Sequence, residues 1–265
     1  MNFKLGSKII TDNSQPYFIA EIGVNYENNI NRAKKIIKLA KEGGADAVKF
    51  QSYKAEKLAC KASPYYWDLK EVPVKSQYDL FKKFDKFGFN EFKILKNYCD
   101  KIKIDFLSTP FDLDAVDYLD KLVPFFKIAS ADINNFPLIK KICSKNKPII
   151  LSTGATTFNE IKKTVKFINK TNKNIRLILL HCILSYPTKK TDAHLEWIKF
   201  LSKNFKSNVI GYSDHTLPDD TMMILTSAYL NGAKVIEKHF SDVKGKKGND
   251  HFHSLNKKDL MIFRN

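Results

Sequence analysis

GGADAVKF, Gly43 to Phe50, and NGAKVIEKHF, Asn231 to Phe240, follow one plan: a helical segment runs out, glycine turns the chain, and an apolar run follows at once. Glycine just past a helix end supplies the left-handed cap that other residues resist. Further runs of the same kind are YFIAEIG from Tyr17, DFLSTPF from Asp105, FFKIAS from Phe125, PIILSTG from Pro148, RLILLHC from Arg176 and NVIGYSD from Asn208. With DAVKFQ from Asp46 and KVIEKHF from Lys234, that makes eight candidate strands. Near-continuous apolar runs suit parallel strands covered on both faces.

The segments between them have helical period. Ala33, Ile36, Ile37 and Ala40 form one apolar stripe; Ile161, Val165 and Ile168 form another, behind the capping box Thr157-x-x-Glu160. Eightfold alternation predicts a (β/α)₈ TIM barrel occupying residues 1–265 as a single domain, near the roughly 250 residues such barrels need. An open doubly wound sheet is the alternative. No G-x-G-x-x-G follows the first strand, which weighs against dinucleotide binding. An N-terminal β-hairpin is expected from Phe3 to Ile10, with a turn near Asp12-Asn13-Ser14. About 50 residues separate the second and third strands, a length that suggests a lid or binding loop; it includes SPYYWDL, Ser63 to Leu69. Asn256 to Asn265 has room for about two turns of an eighth, truncated helix.

Composition narrows the partners. The net charge of +17 comes from 45 basic and 28 acidic residues, but only Arg32, Arg176 and Arg264 are arginines. Lysines spread over nearly every helix describe a solvated surface that draws in small anions, not a nucleic-acid interface. No run approaches the ~20 apolar residues of a membrane span, and the N-terminus lacks a signal-peptide pattern. Four scattered cysteines with no C-x-x-C pair suit reduced thiols in a cytoplasmic protein.

Barrel active sites lie at the C-terminal ends of the strands. The polar residues there are Glu21, Lys49, Gln51, Ser108, Thr109, Lys127, Ser130, Asp132, Ser152, Thr153, His181, Ser213, Asp214, His215, Glu237 and His239. Lysine is rarely buried without a partner, so Lys49 and Lys127 inside apolar runs face either a ligand or internal carboxylates such as Glu21 or Asp132. Thr109, Ser130, Ser152 and Ser213 with the two lysines make an anion site, although each hydroxyl alone could serve as a helix cap. His215 and His239 end consecutive strands and could share a transition metal; His181 competes, and spacing does not choose between them.

AEIGVN at Ala20, DAVKFQ at Asp46, FLSTPFD at Phe106, FKIASADINNFPLI at Phe126, PIILSTG at Pro148, LLHC…YPT at Leu179, IGYSDHT at Ile210 and IEKHF at Ile236 together resemble the N-acetylneuraminate synthase family, which makes sialic, legionaminic and pseudaminic acids. The resemblance implies condensation of phosphoenolpyruvate with an open-chain N-acylated hexosamine, with Mn²⁺ or else Mg²⁺ or Co²⁺. It implies His215 and His239 as metal ligands. Lys49, Thr109, Lys127, Ser130, Ser152 and Ser213 would cradle phosphoenolpyruvate, and Gln51, Tyr186, Glu237 and Asp250 would contact the sugar. Glu21 and Asp132 would act beside the enol and water, with Lys49 and Lys127 as the other catalytic groups.

Three departures from the family pattern touch the sugar side: Asn25-Tyr26-Glu27-Asn28 where relatives read N-H-x-G, Gly248-Asn249-Asp250 where they read G-P-D, and Leu184 where some carry asparagine. Relatives also carry a C-terminal antifreeze-like domain that closes the sugar site across a homodimer. None is expected within residues 1–265, which leaves a fragment, a separate closing domain or an open sugar site as the readings; weaker sugar binding is expected, and the homodimer that the resemblance implies is less strongly expected without that domain. A Schiff-base aldolase using Lys49 or Lys127, and a non-catalytic sugar-binding descendant, are the competing readings.

Overall fold

The computed structural model describes residues 2–65, 67–70, 72–246 and 250–265. Strands β1 (Phe3–Leu5) and β2 (Lys8–Ile10) form the expected antiparallel hairpin. The hairpin itself turns at Gly6 and Ser7, where Gly6 takes φ +55°, and the expected turn at Asp12–Ser14 follows the hairpin, with the Ser14 N–H donating to the Thr11 carbonyl at 3.4 Å. A Cβ on Gly6 would also meet the Asp105 carboxylate at 2.0 Å.

The barrel follows: β3 (Tyr17–Gly23), α1 (Ile30–Glu42), β4 (Ala47–Ser52), α2 (Ala55–Leu58), α3 (Gln77–Phe84), α4 (Phe89–Ile102), β5 (Asp105–Pro110) and α5 (Leu113–Asp120). The second half runs β6 (Phe126–Ile128), α6 (Phe136–Cys143), β7 (Ile149–Ser152), α7 (Phe158–Thr171), β8 (Leu177–Cys182), α8 (Glu196–Asn204), β9 (Val209–Asp214), α9 (Met223–Leu230), β10 (Val235–His239) and α10 (Lys257–Arg264). The strand order β5-β4-β3-β10-β9-β8-β7-β6 is parallel throughout, and β5 lies beside β6 to complete the ring. This is the expected (β/α)₈ barrel. Gly44 and Gly232, with φ of +97° and +101°, make the two glycine turns.

The expected helical stripes are buried: Ala33, Ile36, Ile37 and Ala40 on α1, and Ile161, Val165 and Ile168 on α7, where Thr157 and Glu160 complete the capping box. The interval between β4 and β5 is not one long loop. It holds α2 and α3 before the regular barrel helix α4, and Tyr53, Phe84 and Val24 form a small satellite core beside it. Burying aromatics gave this insertion structure of its own. Tyr66 in SPYYWDL lies outside the described residues. Helix α10 has eight residues, and Arg264 at its end donates to Asp46 Oδ2 at 2.5 Å and to the Pro16 carbonyl at 2.9 Å.

Strand parity positions the site. Phe50 packs outward on Phe92 of α4, so its neighbours Lys49 and Gln51 point to the barrel axis. The paired register carries this parity round the ring: Glu21 opposite Lys49, Lys127 opposite Ile150, Ser152 opposite Leu180, Cys182 opposite Ser213. Ile19, Ala47, Leu107, Ile150 and Leu180 form the apolar floor, all buried. Gly211 fits tightly there, since a Cβ would approach the Val235 carbonyl oxygen to 2.3 Å.

Candidate active site and metal centre

Above that floor the interior is polar. Lys49 Nζ lies 2.7 Å from Glu21 Oε2 and donates to Thr109 Oγ1 at 2.9 Å. Glu237 Oε1 stands 3.9 Å from Lys49 Nζ and 3.6 Å from Lys127 Nζ, and accepts from Ser213 Oγ at 3.2 Å. Gln51 Nε2 donates to Glu21 Oε1 at 3.2 Å. Both lysines therefore pair with internal carboxylates, although Asp132 is not one of them.

Burial pushes the Glu21 carboxyl up to about 7, against the opposing pull of Lys49. Burial acts on Glu237 in the same direction, but Lys127 and Lys49 outweigh it and hold that carboxyl below its ordinary range. Burial lowers Lys127, whose main counter-charge is Glu237. Burial also works against the Lys49 ammonium, yet Glu21 and Glu237 overcome it and raise that group. The two cations differ as a result: Lys49 is well compensated, whereas Lys127 is short of negative charge and suited to receive an anion.

The hydroxyls line one side. Ser130 Oγ accepts from the Gly154 N–H at 3.0 Å, and Ser152 Oγ is buried without a hydrogen-bond partner among the described residues. Asp132, in the short 3₁₀ turn after β6, accepts from Asn135 Nδ2 at 2.9 Å, and burial raises its pKa. No ion pair joins it to Lys127 among the described residues. Ser108, Asp214 and His181 have the other parity and face the helices. Ser108 bonds to Ser52 at 2.6 Å, and Asp214 pairs with the buried Lys238 at 2.7 Å. His181 stacks on Tyr212 and bonds through Nε2 to the Ala193 carbonyl at 2.8 Å.

His215 and His239 do meet, with ring centres 5.5 Å apart. His215 Nδ1 bonds to the Ile183 carbonyl at 2.8 Å, which makes Nδ1 the protonated nitrogen and leaves Nε2 its lone pair. Burial lowers the His215 pKa to about 4 and holds those of His239 and His253 well below the ordinary imidazole range, so all three are neutral near pH 7. Tyr186 covers His215 with ring centres 4.2 Å apart. His239 Nδ1 is 3.4 Å from Asp250 Oδ2 but forms no hydrogen bond among the described residues. Donor atoms of His239, Asp250 and His253 all lie within 4.8 Å of one another. Neutral buried imidazoles with unused nitrogens beside a carboxylate fit a divalent transition metal.

His253 is the residue that the strand-end inventory lacks, because it sits in the segment after β10. That segment is held over the mouth by buried polar contacts. Asn25 Nδ2 donates to the Phe240 carbonyl and to Ser254 Oγ, both at 3.2 Å. His251 bonds to Ser241 Oγ at 2.7 Å and reaches Glu27 Oε1 at 3.3 Å. Tyr26 fills the core against Phe50 and Phe87. Asn25, which matches the family pattern, and Glu27 thus support this segment, whereas Tyr26, a departure from that pattern, packs into the core; Gly248 and Asn249 lie outside the described residues.

A family model described as the NeuB family matches residues 36–264. An uncharacterized protein of Methanocaldococcus jannaschii is 43% identical over 250 residues, covering 94% of this chain and 68% of that one. The N,N'-diacetyllegionaminic acid synthase of Campylobacter jejuni is 41% identical over 248 residues, covering 92% and 73%. Among solved structures, an N-acetylneuraminic acid (sialic acid) synthetase from Leptospira borgpetersenii in complex with citrate superposes with a TM-score of 0.86 at 33% identity, covering 98% of this chain and 85% of that one. A family match over most of the barrel, joined to identity of this order along the same length, means that the chain belongs to the NeuB family.

Proposed function

We propose that this barrel condenses phosphoenolpyruvate with an open-chain N-acylated hexosamine to give a sialic-type nonulosonic acid and phosphate. The observation that carries the reading is the adjacency of two buried lysines to a cluster of neutral imidazoles at one barrel mouth. Lys127 and Lys49, with Thr109, Ser130, Ser152 and Ser213, would bind the carboxylate and phosphate of phosphoenolpyruvate. His215 and His239 would hold a divalent metal, with Mn²⁺ as the first candidate. When bound, that metal supplies Lewis-acid polarisation of the sugar aldehyde.

The bond that forms joins C3 of phosphoenolpyruvate to the aldehyde carbon, whose oxygen takes a proton. Water then adds at C2, and the bond from C2 to the phosphate oxygen breaks to leave the keto acid and phosphate. Glu21, with its pKa near 7, can take the proton of that water, and Asp132 would be the second carboxylate available for that role. Lys127 and Lys49 would stabilise the departing phosphate. Gln51, Tyr186, Glu237 and Asp250 would contact the sugar. Leu184, Tyr186 and Leu217 are exposed near this side, where a second copy or a closing domain would complete it. Four free cysteines fit work in the cytoplasm, and no helix among the described residues is long and apolar enough to cross a membrane.

The test is phosphate release from phosphoenolpyruvate with a panel of N-acylated hexosamines, with Mn²⁺ or with chelator. Release that needs both sugar and metal is expected. A pyruvate adduct trapped by borohydride would overturn the reading in favour of a lysine Schiff base.

A further inference from the structure

His253 is fully buried, yet neither ring nitrogen has a hydrogen-bond partner among the described residues. An imidazole out of water with both nitrogens unused costs a few kcal/mol unless something else engages it, and most buried polar groups are engaged. Its surroundings indicate what that is. The ring centre lies 4.5 Å from that of His239 and 6.2 Å from that of His215. With metal–nitrogen bonds of about 2.1 Å, two imidazoles sharing an ion have ring centres about 4.6–5.3 Å apart when cis or tetrahedral, and about 6.5 Å when opposed. The 4.5 Å between His253 and His239 matches a cis pair, while His215, at 5.5 and 6.2 Å from the other two, lies outside the set whose donor atoms are already within 4.8 Å of one another. The donor atoms of His253 also lie within 4.8 Å of those of His239 and Asp250.

We propose that His253 is a third imidazole ligand, so that His215, His239 and His253 hold the cation with Asp250 beside them. The proposal rests on the reading of this mouth as a metal centre and is independent of the sugar. Its consequence is selectivity. Carboxylate, carbonyl and water donors suit Mn²⁺ and Mg²⁺, whereas imidazole donors favour the later first-row ions. A third nitrogen donor moves the site toward Co²⁺, Fe²⁺ or Zn²⁺.

The position of His253 depends on its anchors. Asn25 and Ser254 tie the segment to the end of β10, and the backbone bridges Phe240 to Leu255. A histidine placed there only to pack would have Phe252 and Tyr186 as ring neighbours and no need of its nitrogens.

The experiment is titration of the whole chain with Co²⁺ and Mn²⁺ alone, comparing wild type with His253→Phe and His239→Asn. Phenylalanine keeps the ring packing and removes the nitrogen lone pair that would bind the ion. His253→Phe should weaken Co²⁺ binding about 100-fold, weaken Mn²⁺ binding less, and change the visible d–d spectrum of the Co²⁺ form. Wild-type Co²⁺ affinity and an unchanged spectrum in His253→Phe, with binding lost in His239→Asn, would overturn the proposal and leave the two-histidine centre standing. Failure of the wild type to bind either ion would overturn both. Should His253→Phe not fold, proton NMR of the wild-type Co²⁺ form decides: three exchangeable, hyperfine-shifted imidazole N–H signals are expected, and two would refute a third ligand.

Discussion

Replacing Lys127 by Met should weaken phosphoenolpyruvate binding by orders of magnitude while leaving the fold nearly as stable as before. Lys127 is buried, and the carboxylate within ion-pair distance of it among the described residues, Glu237 Oε1, is 3.6 Å away and shared with Lys49. At an effective dielectric of about 20, a pair at that distance attracts by about 4–5 kcal/mol. Removing the ammonium also removes a desolvation penalty of several kcal/mol. The lowered pKa of Lys127 means that burial outweighs the attraction of Glu237 for the charged form. The two changes nearly cancel, and Glu237 keeps Lys49 and the Ser213 hydroxyl. The melting temperature should therefore move by about 5 °C or less. Binding has no such compensation: losing one charged contact to an anion in a dry site costs about 3–4 kcal/mol, a 10²–10³-fold loss of affinity. Calorimetric titration with phosphoenolpyruvate, beside differential scanning calorimetry of the same variant, measures both quantities. Affinity within threefold of wild type would refute the assignment of Lys127 to the anion.

Gly211→Ala should lower stability by roughly 1–3 kcal/mol, read as a shift in the urea midpoint, because the new Cβ meets the Val235 carbonyl and Leu180. Glu21 carries a folded-state pKa raised to about 7 by burial, so between about pH 4.5 and 7 the folded state holds a proton that the unfolded chain has released. Wild-type stability should fall relative to Glu21→Gln as pH rises through that window, by up to roughly 3 kcal/mol, and parallel stability curves of the two proteins would contradict this. His181→Gln should leave Co²⁺ affinity unchanged in the titration, since His181 faces Tyr212 and the Ala193 carbonyl, away from the metal centre.

Much of this was legible before folding. Each of the eight apolar runs became a barrel strand with ends within a residue or two of those expected, because burial on both faces leaves a strong one-dimensional signal. The shortest is β6, which keeps only Phe126–Ile128 because the chain turns into a 3₁₀ segment at Ser130. The insertion before α4 has no helical signature in the sequence because α2 and α3 are too short for their periodicity to stand out.

The site divides along the same line. Residue type and position at strand ends were enough to nominate Lys49, Lys127, Glu21, Glu237, His215 and His239. Choosing among the histidines needed the closed barrel. Alternation assigns neighbours to opposite faces, but only the ring decides which face is the interior, and that decision sends His181 outward and His239 inward. His253 belongs to no strand and no period. It reaches the imidazole cluster because Asn25, Ser254 and His251 fold its segment back across the mouth, through contacts between residues more than 200 positions apart. Local pattern determined the architecture and the chemical inventory of this protein; long-range polar contacts and barrel closure decided which of those groups meet.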